Sequence, residues 1–312
     1  DAGQVVTVDL DGGAGIGAWD IRAVRHALAA VMRRRPEAYH DTLRSLGDRG
    51  DDIDGNGPAA DGDGTDGSEG HTTEGDTAAA SIHDAVRVKE PGLAAHLVYD
   101  AYERRSGLVR VLPATTSAEE WAAAAVEDVG DVVDDAFEVE TLETGRLVTR
   151  RDATICGATV RVSKTLTLGG DRRSPTLTLA LDLEHAGGEP FEARVGLEWA
   201  LTMLGGGGNP AAWWDLGGVR GAHDAGGAAT DVSTIAQGND LIGVSVTSTT
   251  SSADAWWAPI ETVSNSEDGF ERVYQGSALL LSWPLRLAPG EHWTRTITNV
   301  VATTRDRALE DA

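Results

Sequence analysis

The stretch "TLTLALDLE" places Leu177, Leu179, Leu181 and Leu183 at every second position. Only an extended chain turns such residues to one side, because successive strand side chains point to opposite faces. The next segment, "FEARVGLEWAL", repeats the pattern with Phe191, Ala193, Val195, Leu197 and Trp199. "LIGVSVTSTT", "SALLLSW" and "EHWTRTITNVV" continue the series, with glycine-rich turns between them. Alternation with one buried face is the mark of an antiparallel sheet, and several such strands in a row predict a β-sandwich. Trp199, Trp283 and Trp293 fall within these strand patterns and are expected in the core.

The chain before Asp135 is mixed. "QVVTVDL" reads as a strand and "DGGAG" as a turn. In "AWDIRAVRHALAAVMRRR" the period changes: Val24, Leu28, Val31 and Met32 are spaced for one helix face. Pro36 ends that helix or begins another, "PEAYHDTL". "TSAEEWAAAAV" carries a capping box, Ser117 to Glu120, ahead of an alanine-rich helix. Between these signals, residues 48–80 are rich in Asp, Gly and Thr and hold almost no large apolar residue. Such a segment buries too little to offset its ordering entropy and is expected to be a disordered acidic insertion. It divides the expected sandwich domain into an N-terminal strand and helices at 1–47 and the remainder at 81–312. "DIDGNG" within it matches the first half of a calcium loop, but Asp63 stands where the loop's Glu belongs, and the reading is a flexible loop.

Charge narrows the partners. Net charge is −24, which repels nucleic acid and anionic membrane surfaces. No run approaches the roughly 18 apolar residues of a membrane span, and the N-terminus has no signal-peptide pattern. Among 26 basic residues, Lys89 and Lys164 are the only lysines. Excess acid with little lysine is expected of a protein working in concentrated salt, although a GC-rich genome also exchanges Lys for Arg. The single Cys156 suits a reducing cytoplasm and is read as a buried thiol in the strand-like "ATICGATV". Eight scattered histidines show no metal spacing, so neither metal nor cofactor is assigned. His96 and His185 read as solvent or turn residues.

Two aromatic stretches carry the candidate chemistry. "GGGGNPAAWWDLGG" sets Trp213 and Trp214 beside a glycine run that lacks the pattern of a phosphate loop. "WWAPIETVSNSEDGFERVYQGS" sets Trp256 and Trp257 ahead of Glu261, Glu267 and Glu271. Indole faces stack on sugar C–H surfaces, and paired carboxylates cleave glycosidic bonds. Glu261 and Glu271 could meet across a hairpin. The other readings are a polar turn within a scaffold, and a turn lining a cleft. Adjacent tryptophans on a strand point to opposite sides, so one of Trp256 and Trp257 is expected in the core and the other exposed.

"RRRPEAYHDTL", "HLVYDAYERRSGLVRVL", "VGLEWALTMLGGGGNP" and "APIETVSNSEDGFERVYQGSALLLSWPLRLAPGE" resemble the C-terminal domain of family-57 glycoside hydrolases, the α-amylases and 4-α-glucanotransferases. The resemblance runs from near Gln4 almost to the end and skips the acidic insertion. It implies a large antiparallel β-sandwich of the galactose-mutarotase type, mainly β, with a few short helices near the N-terminus. It also implies that the nucleophile and acid/base lie on a separate N-terminal barrel, so no residue of this chain is assigned a catalytic role. The expected function is an accessory domain that supports that barrel and contacts the α-glucan, in which Trp213, Trp214, Trp256, Trp257, Glu261, Glu267 and Glu271 are the candidate substrate contacts. A stand-alone glucan-binding or barrel-docking module, and an aldose-epimerase-like enzyme, are the alternatives.

Overall fold

The computed structural model describes residues 3–47, 88–267 and 269–306. The expected disordered insertion at 48–80 and the half calcium loop lie outside them. The chain divides into two compact units. The larger comprises Asp1–Arg35, Val98–Thr262 and Val273–Ala312; the smaller comprises Pro36–Leu97 and Val263–Arg272.

The larger unit opens with a three-stranded sheet of β1 (Gln4–Asp9), β2 (Gly15–Ile21) and β3 (His26–Ala27). Here the expected helix from Trp19 to Arg35 does not form. Trp19 and Ile21 obey the strand period and are fully buried, and the Trp19 Nε1 donates to Gln4 Oε1 at 2.8 Å. Arg25, at φ 53°, then turns the chain back into β3. Val24 and Leu28 are buried, whereas Met32 is exposed, so the helical spacing describes no single face. Arg33, Arg34 and Arg35 follow as an irregular segment that needs acceptors, which Asp100 and Glu103 supply. Helix starts later, as α1 (His40–Gly47) of the smaller unit.

A twelve-stranded antiparallel sheet forms the rest. Its main path takes β5 (Glu138–Glu143), β6 (Arg146–Ile155), β7 (Ala158–Gly170), β8 (Pro175–Gly187), β15 (His292–Thr303), β13 (Val244–Ser266), β12 (Gly227–Asn239), β10 (Ala212–Leu216) and β11 (Val219–Ala222). The long β13 also pairs with β14 (Gly269–Leu287), which pairs with β9 (Phe191–Leu201), which pairs with β4 (Leu108–Leu112). One strand thus passes from the first layer into the second, and the layers share one apolar core. Leu177, Leu179, Leu181 and Leu183 of β8 meet Val195, Leu197 and Trp199 of β9 and Leu279 and Leu281 of β14 in it. Each leucine contributes about 2 kcal/mol by leaving water. Trp283 is buried and Trp293 partly buried, T-shaped against each other at 5.7 Å.

The layer of β4, β9 and β14 is buried on both faces. Its outer side packs Leu112, Ala200 and Leu280 with Trp121 and Trp256 in a second cluster. Trp121 lies on α2 (Ala118–Ala122), which begins with the anticipated capping box but ends after five residues, where Ala124 adopts φ 52°. Under this helix lies Glu198 of β9, fully buried. It accepts from Arg104 Nη1 at 2.8 Å, Tyr102 Oη at 3.0 Å, Trp121 Nε1 at 3.0 Å, and Arg110 Nη1. Burial alone would raise its pKa, but Arg110 and Arg104 outweigh it and hold the carboxyl below its ordinary range. Arg104 also reaches Asp100, which pairs with Arg34 at 2.6 Å, and Arg110 reaches Asp128 at 2.9 Å. Burial is the largest influence on Asp100 too, yet Arg104 and Arg34 bring its carboxyl down to about 2.

Two smaller expectations are corrected. Cys156 is exposed, because β6 ends at Ile155 and Cys156–Gly157 form the hairpin turn, at φ 50° and 81°. Both central residues of such a turn need positive φ, and the first side chain projects outward. His185 is not a solvent residue: it is buried, stacked on Phe191 at 5.7 Å, with Nε2 against Glu189 O at 3.0 Å. His96 is exposed, as expected.

Candidate functional site

The two aromatic stretches converge where β10, β12 and β13 run side by side. Being adjacent on β10, Trp213 and Trp214 face opposite ways. Trp214 turns inward and stacks on His223 at 4.9 Å and 13°, with Nε1 donating to His223 O at 3.2 Å. Burial pushes the His223 imidazole down to about 4, so it is neutral near pH 7. Its Nε2 meets Gln237 Oε1 at 2.9 Å, and its Nδ1 meets the Tyr274 hydroxyl. With the proton on Nε2, Nδ1 accepts from Tyr274. Ser277 Oγ closes the group, 2.9 Å from Tyr274 Oη and donating to His223 O at 2.7 Å. Burial raises the Tyr274 phenol, and the charges of Asp224 and Glu261 raise it further.

The glycine run explains itself against this group. A Cβ on Gly205 would stand 2.9 Å from His223 Cβ, and one on Gly206 2.7 Å from Tyr274 Cβ. Only a bare backbone fits so close. Gly207 and Gly208 then turn at φ 68°, and Gly208 N donates to Asp224 Oδ2 at 2.9 Å.

Trp257 lies half-buried against β12, so close that a Cβ on its cross-strand partner Gly227 would be 2.3 Å from the ring. Its ring centre is 6.2 Å from that of Trp214. Glu261 follows at even spacing on β13, also half-buried. Trp214, Trp257 and Glu261 thus share one neighbourhood, with His223 and Tyr274 at its base.

The other candidates go elsewhere. Trp213 donates from Nε1 to Asp240 Oδ1 at 2.9 Å, and the Arg220 guanidinium covers its ring at 3.9 Å. Trp256 is a core residue, 6.2 Å from Trp121 and capped by Arg194 at 4.7 Å. Its neighbour Trp257 is half-buried rather than fully exposed, because Gly227 gives the ring a bed. Glu267 and Glu271 belong to the smaller unit. Glu267 is exposed at the turn, and Glu271 meets Lys89 Nζ at 2.6 Å, a hydrogen bond that lowers its pKa. Arg272 of that unit pairs with Glu90 at 3.2 Å.

The edge of β12 opens into a groove of about 470 Å³. It runs from Asp215, Leu216 and the Gly217–Gly218 turn to the segment between Ala229 and Thr234. Sequence reasoning missed this groove, and it missed His223, Gln237 and Tyr274. His223 stands alone in "AHDAGG", and nothing in its spacing announces partners 14 and 51 residues away. Among the described residues, no group of His, Cys, Asp and Glu is placed to hold a metal ion.

A sequence profile described as α-amylase/4-α-glucanotransferase, C-terminal, matches residues 2–297. "Alpha-amylase 1" of Dictyoglomus thermophilum is 62% identical over 39 residues, which are 12% of this chain and 6% of that protein. The 4-α-glucanotransferase of Thermococcus litoralis matches in structure with a TM-score of 0.66 at 15% identity, over 96% of this chain and 36% of that enzyme. A galactose mutarotase-like protein of Lactobacillus casei matches with a TM-score of 0.52 at 8% identity, over 96% of this chain and 98% of its own, which shows the shared sandwich fold. This chain, which spans about a third of the glucanotransferase it matches, belongs to the family of α-amylase/4-α-glucanotransferase C-terminal domains.

Proposed function

We propose that this chain is a non-catalytic part of an α-glucan-processing enzyme, and that it supports a separate catalytic portion and contacts the glucan through the Trp257 face. The observation that carries the reading is Trp257 itself: a half-buried indole bedded on a glycine, with its ring centre 6.2 Å from that of Trp214. Stacking on C–H surfaces suits such a ring. Trp213, already under a guanidinium, has less to offer. A catalytic pair finds little support. General acid work requires a carboxyl that stays protonated, and the Lys89 ammonium pulls Glu271 the other way. Glu198 is sealed from substrate.

Trp257→Ala is expected to weaken maltoheptaose binding about tenfold, the scale of one lost aromatic contact. Trp213→Ala is expected to leave it within about twofold. Calorimetric titration checks both, and a Trp257→Ala protein that binds like the parent would remove the face from consideration.

We also read the acidic surface as suited to concentrated salt. Fifty acidic against twenty-six basic side chains repel one another in dilute buffer. At 1 M salt the Debye length falls to about 3 Å and the repulsion is screened. The unfolding midpoint is expected to rise between dilute buffer and molar KCl; a flat or falling midpoint would leave base composition as the reason for the missing lysines. Among the described residues, no helix is long and apolar enough to cross a membrane.

A further inference from the structure

The groove at the edge of β12 has a specific origin. β12 pairs with β10 only from Ala236 to Asn239, so among the described residues its stretch Gly227–Ile235 has no ladder partner on that side. On the other side its pairing with β13 slips twice, between Ala229 and Val232 and between Val232 and Thr234. Thr230, Asp231 and Ser233 fall outside that ladder, and Asp231 takes φ 55°. Bulges of this kind re-aim side chains at a sheet edge. The wall they form carries the hydroxyls of Thr230, Ser233 and Thr234, and Asp215 of β10 lines the groove with it.

The lining is selective. It holds two carboxylates and three side-chain hydroxyls but no Lys, Arg or His. Asp215 Oδ1 accepts from Gly218 N at 2.9 Å and Asp231 Oδ1 from Ser252 Oγ at 3.0 Å. Among the described residues, no partner holds the Oδ2 of either. An anion is repelled here. A neutral ligand dense in O–H donors satisfies these acceptors, and the volume falls in the range of small-molecule sites. We propose that this groove is a saccharide subsite, in which Asp231, Asp215 and the Thr230–Thr234 wall accept and donate hydrogen bonds to the hydroxyls of an α-glucan chain. The proposal rests on the glucan-contact reading above and adds a second set of residues to it.

The test is titration of the 312-residue chain with maltoheptaose, and with cellohexaose as the control for linkage, in three variants. Asp231→Asn removes the charge while keeping a residue that tolerates positive φ. Thr234→Arg fills the exposed wall, and Trp257→Ala removes the platform. Asp231→Asn and Thr234→Arg are each expected to weaken maltoheptaose binding about three- to tenfold, and maltoheptaose is expected to slow hydrogen exchange at the Ala229–Thr234 amides. Unchanged affinity in both groove variants, with binding still lost in Trp257→Ala, would overturn the subsite and leave the glucan reading standing. Failure of the parent chain to bind maltoheptaose at all would overturn both. Equal binding of cellohexaose would overturn the assignment to an α-glucan. Matching unfolding midpoints of parent and variants show that any loss is local.

Discussion

Glu198→Ala is expected to destabilise the larger unit by about 4 kcal/mol or more, a large share of the stability of an ordinary domain. The change strands Arg104, Arg110, Tyr102 and Trp121 together, since all four donate to this one carboxylate in a dry setting. A buried cation left without its partner is the most costly defect a single substitution makes there. The surrounding network balances, with Glu198, Asp100 and Asp128 against Arg34, Arg104 and Arg110. Glu198→Gln keeps the shape and two acceptor lone pairs, and is expected to cost less. Replacing Glu198 and Arg110 together by Met is expected to recover part of the loss. Urea denaturation followed by tryptophan fluorescence measures all three. A cost below about 1 kcal/mol for Glu198→Ala would mean that water reaches the site.

Stability is expected to rise between pH 7 and 9.5 by up to about 1.4 kcal/mol per pH unit, and Lys164→Met should remove most of that slope. Lys164 Nζ is buried, donating to Gly13 O at 2.8 Å and Ala14 O at 2.7 Å, with no carboxylate bonded to it. Gly13 and Ala14 hold φ 67° and 44°, which turns their carbonyls toward it. A void of about 10 Å³ beside the ammonium has room for about one water. Burial lowers its pKa from 10.5 to about 7. In this window the unfolded chain binds the proton more tightly than the folded one, so folding gains as pH rises. Below about 7 both states are charged and the penalty is complete. Tyr102 and Tyr274, both pushed up by burial, act in the opposite direction above pH 10, which sets the upper limit of the comparison. Parallel pH profiles of parent and variant would place the lysine in water instead.

The strands were legible because half-buried sheets write their period into the sequence, as Leu177 to Leu183 show. The error at Trp19–Arg35 came from Val24, Leu28, Val31 and Met32, which happen to fall at helical spacing although all lie outside strands and helices, Val24 and Leu28 buried and Met32 exposed. Arg34, Asp100, Tyr102, Arg104, Arg110 and Glu198 all lie within the segments that carry the family resemblance, but their spacing hides their union, because Arg34–Asp100 and the contacts of Glu198 with Tyr102, Arg104 and Arg110 join residues 66 to 96 apart. At the candidate site, Trp257 and Glu261 were legible as aromatic and acid on one strand. The groove was not, since it comes from two slips in β12 pairing that leave no mark in composition.

Saturation-transfer NMR on maltoheptaose mixed with this chain tests the account most directly, because one sample reports both contact and cleavage. Saturation is predicted to pass from protein to glucan, and to fall in Trp257→Ala. The anomeric signals are predicted to show no new reducing ends, since loss of a positioned carboxylate pair removes many orders of magnitude in rate. New reducing ends that disappear in Glu261→Gln would make this chain a catalyst in its own right, and absence of saturation transfer would deny it any direct hold on the glucan.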